Sequence, residues 1–177
     1  MKEIVEALKK RISENKNSML VTVVAGRGSI PQKAGAYMVV GEDGRVTGTI
    51  GGGNLEYQAT LLGQKLLTEK KNYLHEYNLG QEKSAELGMA CGGNATVLFY
   101  FVDAREDAVW IRQMEEAEEK REAFWILMPL EEGKIKILPE FQTFAHQSVT
   151  EIDGARFYAE QFSYGIADKP DHIRIPF

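Results

Sequence analysis

Ile4, Val5, Leu8 and Ile12 recur at helical spacing among lysines and glutamates, so the first ~16 residues read as an amphipathic helix with one buried stripe, ending near Asn15 or Asn17. The pattern then changes. Residues 18–25 (SMLVTVVA) are a continuous apolar and β-branched run, expected of a strand covered on both faces. Gly26 to Gly35 follows as a loop punctuated by glycines and Pro31. Residues 36–40 and 45–50 flank Asp43-Gly44, a hairpin signal because both residues tolerate positive φ. Leu55, Ala59, Leu62 and Leu66 keep one face of a helix from about Asn54 to Glu69, directly behind Gly51-Gly52-Gly53.

Residues 73–79 and 95–102 read as two further strands with the segment Gly88 to Gly93 between them. Arg105 to Glu122 is a charged stretch anchored by Val109, Trp110 and Met114, expected as a helix whose other face is solvated. Residues 123–130 and 134–138 around Glu132-Gly133, and 149–152 and 155–164 around Asp153-Gly154, complete two more hairpins. From Gly165 onward there is no apolar period, and Pro170 and Pro176 suggest a linker or loosely docked tail. The expected architecture is one α/β domain over residues 1–164, with residues 165–177 as the tail. Its mixed sheet is built largely from antiparallel hairpins, with helices packed on it and the glycine loops at one end. No internal repeat or low-complexity tract interrupts this order.

A chain of 177 residues with 44% apolar content supports a real core and suits one ordinary domain. The net charge of −5 comes without a basic block, which argues against nucleic acid or an anionic membrane surface as a partner. No wholly apolar run, Val97 to Val102 being among the longest, approaches the ~20 residues a spanning helix needs. A lone cysteine forms no internal disulfide, and the charged start is unlike a signal peptide, so a cytoplasmic location is expected.

The candidate chemistry sits in the glycine segments. Gly51-Gly52-Gly53 ahead of a helix offers backbone N–H groups and the positive end of the helix dipole, an arrangement suited to a phosphate. The dinucleotide fingerprint fails because Glu56 takes the last glycine position, and the P-loop fails because no Gly-Lys-Ser/Thr follows. A plain turn with Gly53 or Asn54 as N-cap is the structural alternative. Cys91, in Gly88-Met89-Ala90-Cys91-Gly92-Gly93, is either a small buried hydrophobe or an accessible thiol. As a thiolate it can bind a soft metal, carry sulfur or attack an electrophile, given a positive group nearby such as Arg27 or Lys33. Ser29 is an ordinary turn serine or a hydroxyl donor to an anion. His75, His146 and His172 are dispersed and lack metal-ligand spacing.

Taken in order, Gly28-Ser29-Ile30-Pro31 with Gly35-Ala36-Tyr37-Met38, then Gly44 through Gly48-Thr49-Ile50-Gly51-Gly52-Gly53-Asn54-Leu55-Glu56, then Gly88 to Gly93, resemble the XdhC/CoxI family of xanthine dehydrogenase accessory proteins. The resemblance is strong over about Met19 to Phe101 and weaker to about Tyr164. It implies a chaperone, rather than an enzyme, in the maturation of molybdenum hydroxylases of the xanthine or aldehyde dehydrogenase type. Such a protein binds molybdenum cofactor (molybdopterin) transiently, associates with a cysteine desulfurase during sulfuration, and inserts the cofactor into the apoenzyme. The implied site takes the phosphate at Gly51, Gly52 and Gly53, with Asn54 and Glu56 beside it. Ser29 and Gln32 line the pocket, and Cys91, flanked by Gly92 and Gly93, is the metal contact.

Fuller family members continue into a Rossmann-like domain, and this chain stops at Phe177 without one. A short or split member, or a truncated one, is expected, with a separate Rossmann-type partner domain and a homo-oligomer as further expectations. Two other function classes fit the same residues. One is a thiol-dependent enzyme with Cys91 as nucleophile, which needs a base within hydrogen-bond reach. The other is an interaction module that dimerises through its sheet edges.

Overall fold

A computed structural model of the protein describes residues 1–28, 30, 32–79, 93–139 and 148–162. The chain opens with helix α1 (Lys2–Ser13), whose Ile4, Val5 and Leu8 are buried, as the apolar spacing requires. Strand β1 (Ser18–Arg27) is buried from Ser18 to Ala25. It is central in a five-stranded sheet of order β3-β2-β1-β5-β4, with β2 Tyr37–Gly41, β3 Gly44–Gly48, β4 Tyr73–Asn78 and β5 Asn94–Val102. Helix α2 (Gly53–Glu69) covers one face. Met19, Val21 and Val23 of β1 and Val97 and Phe99 of β5 meet its Leu55, Ala59, Leu66 and Leu67 there.

The other face of this sheet looks into a second, larger core. Leu20 and Val24 of β1 and Leu98, Tyr100 and Val102 of β5 join α1 and helix α3 (Ala108–Lys120), the latter through Trp110, Ile111 and Met114. A four-stranded sheet closes that core, in the order β7-β6-β9-β8, with β6 Phe124–Pro129, β7 Lys136–Pro139, β8 Ser148–Ile152 and β9 Ala155–Phe162. Along β6 the pleat sends Phe124, Ile126 and Met128 inward, while Trp125 and Leu127 turn to a third cluster with Phe157 and Ala159.

The α/β class and the hairpin construction are as expected, but the strands divide between two sheets, and every described pairing is antiparallel. β6 is apolar on both faces: Phe124, Ile126 and Met128 enter the shared core, while Trp125 and Leu127 are buried beside Phe157 and Ala159 of the neighbouring β9. The first hairpin also differs in detail. Gly41 pairs with Gly44, so Glu42-Asp43 is the loop and Gly44, at φ +113, is already the first strand residue. At the β8–β9 turn Asp153 (φ 52) and Gly154 (φ 78) both take the left-handed conformation foreseen for the motif. No helix among the described residues is long and apolar enough to cross a membrane. The proposed tail, residues 165–177, lies outside the described residues.

Candidate functional site at the glycine end of the five-stranded sheet

The antiparallel register brings the glycine segments to one end of the sheet. Thr22 pairs with Tyr37, Met38 with Gly48, Arg27 with Asn94, and Asn78 also with Asn94. The chain therefore leaves β1, enters β2, leaves β3, leaves β4 and enters β5 at the same end. The Leu79 N–H donates to the Gly93 carbonyl at 2.8 Å, so both of these residues lie at this end. Cys91 and Gly92, together with Ser29, lie outside the described residues. Of the expected site, the structure places Gly51, Gly52, Gly53, Asn54 and Glu56 at this end, with Gly93 buried at the start of β5 and Gln32 exposed in the first loop.

Ile50, fully buried, anchors the turn in the α2-side core. Beyond it Gly51, Gly52 and Gly53 stand at φ 126, 71 and 58, a succession that residues with a Cβ resist. Gly52 combines that φ with ψ −170, and a Cβ there would meet no atom within 4 Å, so its outer surface is open to an approaching group. Two of the turn's amides are engaged. Gly51 N–H donates to Thr49 Oγ1 at 3.1 Å, and Gly52 N–H donates to Glu56 Oε2 at 3.2 Å. The same carboxylate accepts the Thr49 hydroxyl at 2.5 Å and pairs with Arg45 Nε at 3.4 Å. The seat that a helix N-terminus offers to an anion is thus held by the helix's own Glu56, whose side chain is only 15% exposed.

A second polar cluster lies at this end and comes from the other sheet. Tyr37, the first residue of β2, donates its hydroxyl to Glu160 Oε2, and Tyr158 donates to the same oxygen at 3.4 Å. Glu160 also faces Gly35, where a Cβ would come within 2.7 Å of its Oε1. Burial raises the Glu160 carboxyl above the ordinary carboxylate range, against the lowering effect of the two hydroxyls. Burial, with Glu160 alongside, keeps both tyrosines protonated far into alkali. The residue reading of the sequence missed Glu160. Its signal was present: two positions from the buried Tyr158 and two from Phe162, it occupies an inward phase of a period-two strand.

His75 is flanked on β4 by Tyr73, stacked at 5.7 Å, and by Tyr77, edge-on at 4.5 Å. His146 and His172 lie outside the described residues. Among the described residues no group of three His, Cys, Asp or Glu side chains is placed to hold a metal ion.

Residues 12–78 match the model of the XdhC and CoxI family. YqeB of Escherichia coli K12, an uncharacterized protein, is 33% identical over 78 residues, which are 44% of this chain and 14% of YqeB. A crystal structure described as a xanthine dehydrogenase from Bacillus halodurans superposes with a TM-score of 0.65 at 18% identity, over 90% of this chain and 52% of that one, and shows a shared fold. The chain spans about half the length of that solved protein and a smaller part of YqeB. The family match runs from the end of α1 through β4, so it contains the loop at 26–35 and the triple glycine, while the Gly88 to Gly93 segment follows it. The matched residues 12–78 are a little over a third of this chain, and over them it is similar to the XdhC and CoxI family.

Proposed function

We propose that the protein is an accessory factor for a molybdenum hydroxylase of the xanthine dehydrogenase type. In this reading it binds molybdopterin cofactor at the glycine end of the five-stranded sheet, works in the cytoplasm beside a cysteine desulfurase while the cofactor is sulfurated, and passes it to the apoenzyme. The family match over residues 12–78 supports the association, and one observation supports the place: the first glycine loop, the triple glycine and both limits of the Cys91 segment share a sheet end.

The donor set fits such a cargo on one condition. When bound, the cofactor brings a soft metal centre suited to a thiolate and a phosphate suited to backbone amides. Cys91 would hold the first and the Gly51–Gly53 turn the second. Glu56 already accepts the Gly52 N–H, so an incoming phosphate must displace it. Once Glu56 swings away, Arg45, now 3.4 Å from its carboxylate, is left to face the phosphate. An internal carboxylate competing with the cargo for one amide weakens the complex and favours release, which a carrier requires.

Incubating the protein with released molybdenum cofactor and measuring retained molybdopterin tests this. Wild type should retain it, Cys91→Ser should retain less, and Glu56→Gln, which keeps the side-chain shape without the charge, should retain more. Equal retention by all three removes the roles of Cys91 and Glu56, and no retention by wild type removes the binding function from this chain.

A further inference from the structure

Among the described residues four strands stand at sheet edges, and two of them carry features that discourage pairing. In the four-stranded sheet, β7 is short and ends at Pro139. At one edge of the larger sheet, β3 is paired through a register shift, holds Arg45, and is overlaid by α1, whose Glu3 takes the Thr47 hydroxyl. β4, at the other edge, has no register shift and no helix laid over it, and Glu76 is its one charged residue. Tyr73 to Asn78 pairs with β5 without interruption, contains no Pro, Lys or Gly, and has no described strand on its outer side.

The phase of its backbone follows from one bond. The Leu79 N–H to Gly93 O bond extends the β4–β5 register by one pair, so the odd residues of β4 turn their amides toward β5. Leu74 and Glu76 then turn theirs outward. Side chains separate by the same parity: Tyr77 packs on the α2 side of the sheet and Leu74 on the side of the shared core. Tyr73, His75 and Tyr77 therefore form an aromatic row along the edge, with Tyr73 46% exposed and the Tyr77 hydroxyl buried without a hydrogen-bond partner.

We propose that β4 pairs antiparallel with β4 of a second copy of this chain, about a two-fold axis through His75, to make a continuous ten-stranded sheet. A two-fold axis normal to the sheet pairs only residues of the same parity, because partners must share a face. Centred on His75, it sets Leu74 against Glu76 of the second copy and Glu76 against its Leu74. These are the residues with outward amides, so each pairing closes two backbone hydrogen bonds. On the aromatic face Tyr73 meets the second copy's Tyr77 on both sides of the axis, which extends the aromatic row of each chain across the junction. Moving the axis to Glu76 would set two carboxylates directly opposite each other. Moving it to Leu74 would bring Asn72 into the ladder, and its side chain is already committed to the Phe101 N–H and the Glu131 carbonyl.

Sedimentation of the full chain at micromolar concentration, together with disulfide trapping, tests the pairing. Wild type should sediment as a dimer. Glu76→Pro removes an amide that does not serve β5 and, with the carboxylate, the exposed 3.3 Å contact from Asn94 Nδ2, so it should sediment as a monomer that still unfolds cooperatively. In a Cys91→Ser background, His75→Cys should oxidise to a covalent dimer, because residues facing each other in a non-hydrogen-bonded pair lie within disulfide reach. Tyr73→Cys, which faces residue 77 of the other copy, should not. A monomeric wild type, a dimer that survives Glu76→Pro, or equal trapping at both cysteines would overturn the proposal and leave this edge to a different chain.

Discussion

Gly52 stands at φ 71 and ψ −170, a region that only glycine occupies without strain, although the space around its Cβ position is empty. Gly52→Ala should therefore lower stability by about 1–3 kcal/mol in urea unfolding through backbone strain alone. A loss below a few tenths would mean that the turn relaxes and that its glycines serve another purpose. Glu160 makes a different demand. Its carboxyl titrates above the ordinary 4.5, so the native protein still holds a proton that the unfolded chain has released. Stability from this group is therefore full below the unfolded value and declines as pH rises through the folded one. Glu160→Gln keeps an acceptor for Tyr37 and cannot ionise. Its stability should match wild type near pH 4 and exceed it near pH 8, and parallel curves would contradict the assigned burial. Glu160 escaped the residue reading because Tyr37 is 123 positions away and belongs to the other sheet.

Elements joined by short turns were legible for physical reasons. Asp153-Gly154 adopts the paired left-handed conformation its residues favour, and the apolar spacing of α1 and α2 fixes which faces are buried. What local pattern does not encode is how β6 to β9 separate into their own sheet, since that choice depends on Phe124, Ile126 and Met128 meeting α1, α3 and the first sheet in one core. The joint between the sheets is polar. Asp107, 1% exposed at the start of α3, accepts the Tyr100 hydroxyl at 2.9 Å and the Asp103 N–H at 2.7 Å, with Lys134 at 3.4 Å. Tyr100 in turn accepts the Ile135 N–H from the β6–β7 connection at 3.3 Å. Asp107→Ala leaves a buried hydroxyl and an amide without their acceptor. It should cost about 3 kcal/mol of unfolding free energy, with Asp107→Asn milder. Equal stability of the alanine variant would show that water replaces the carboxylate.

Among the described residues, two antiparallel sheets and three helices leave one sheet end where Gly28, Gly35, Gly51, Gly52, Gly53 and Gly93 gather, with the proposed dimer edge running along β4 to that same end. The triple-glycine turn was legible from its position ahead of a helix. The engagement of its amides was not, because Glu56 reads equally well as a surface residue until the turn is folded. The account stands on Cys91 lying near that turn. Intramolecular cross-linking measures this directly. With a short bismaleimide, Cys91 should join Tyr57→Cys, an exposed position in the first turns of α2, and should not join Val109→Cys, equally exposed on α3. No bridge to position 57, or bridges of equal yield to both positions, would contradict a common site for the thiol and the glycine turn.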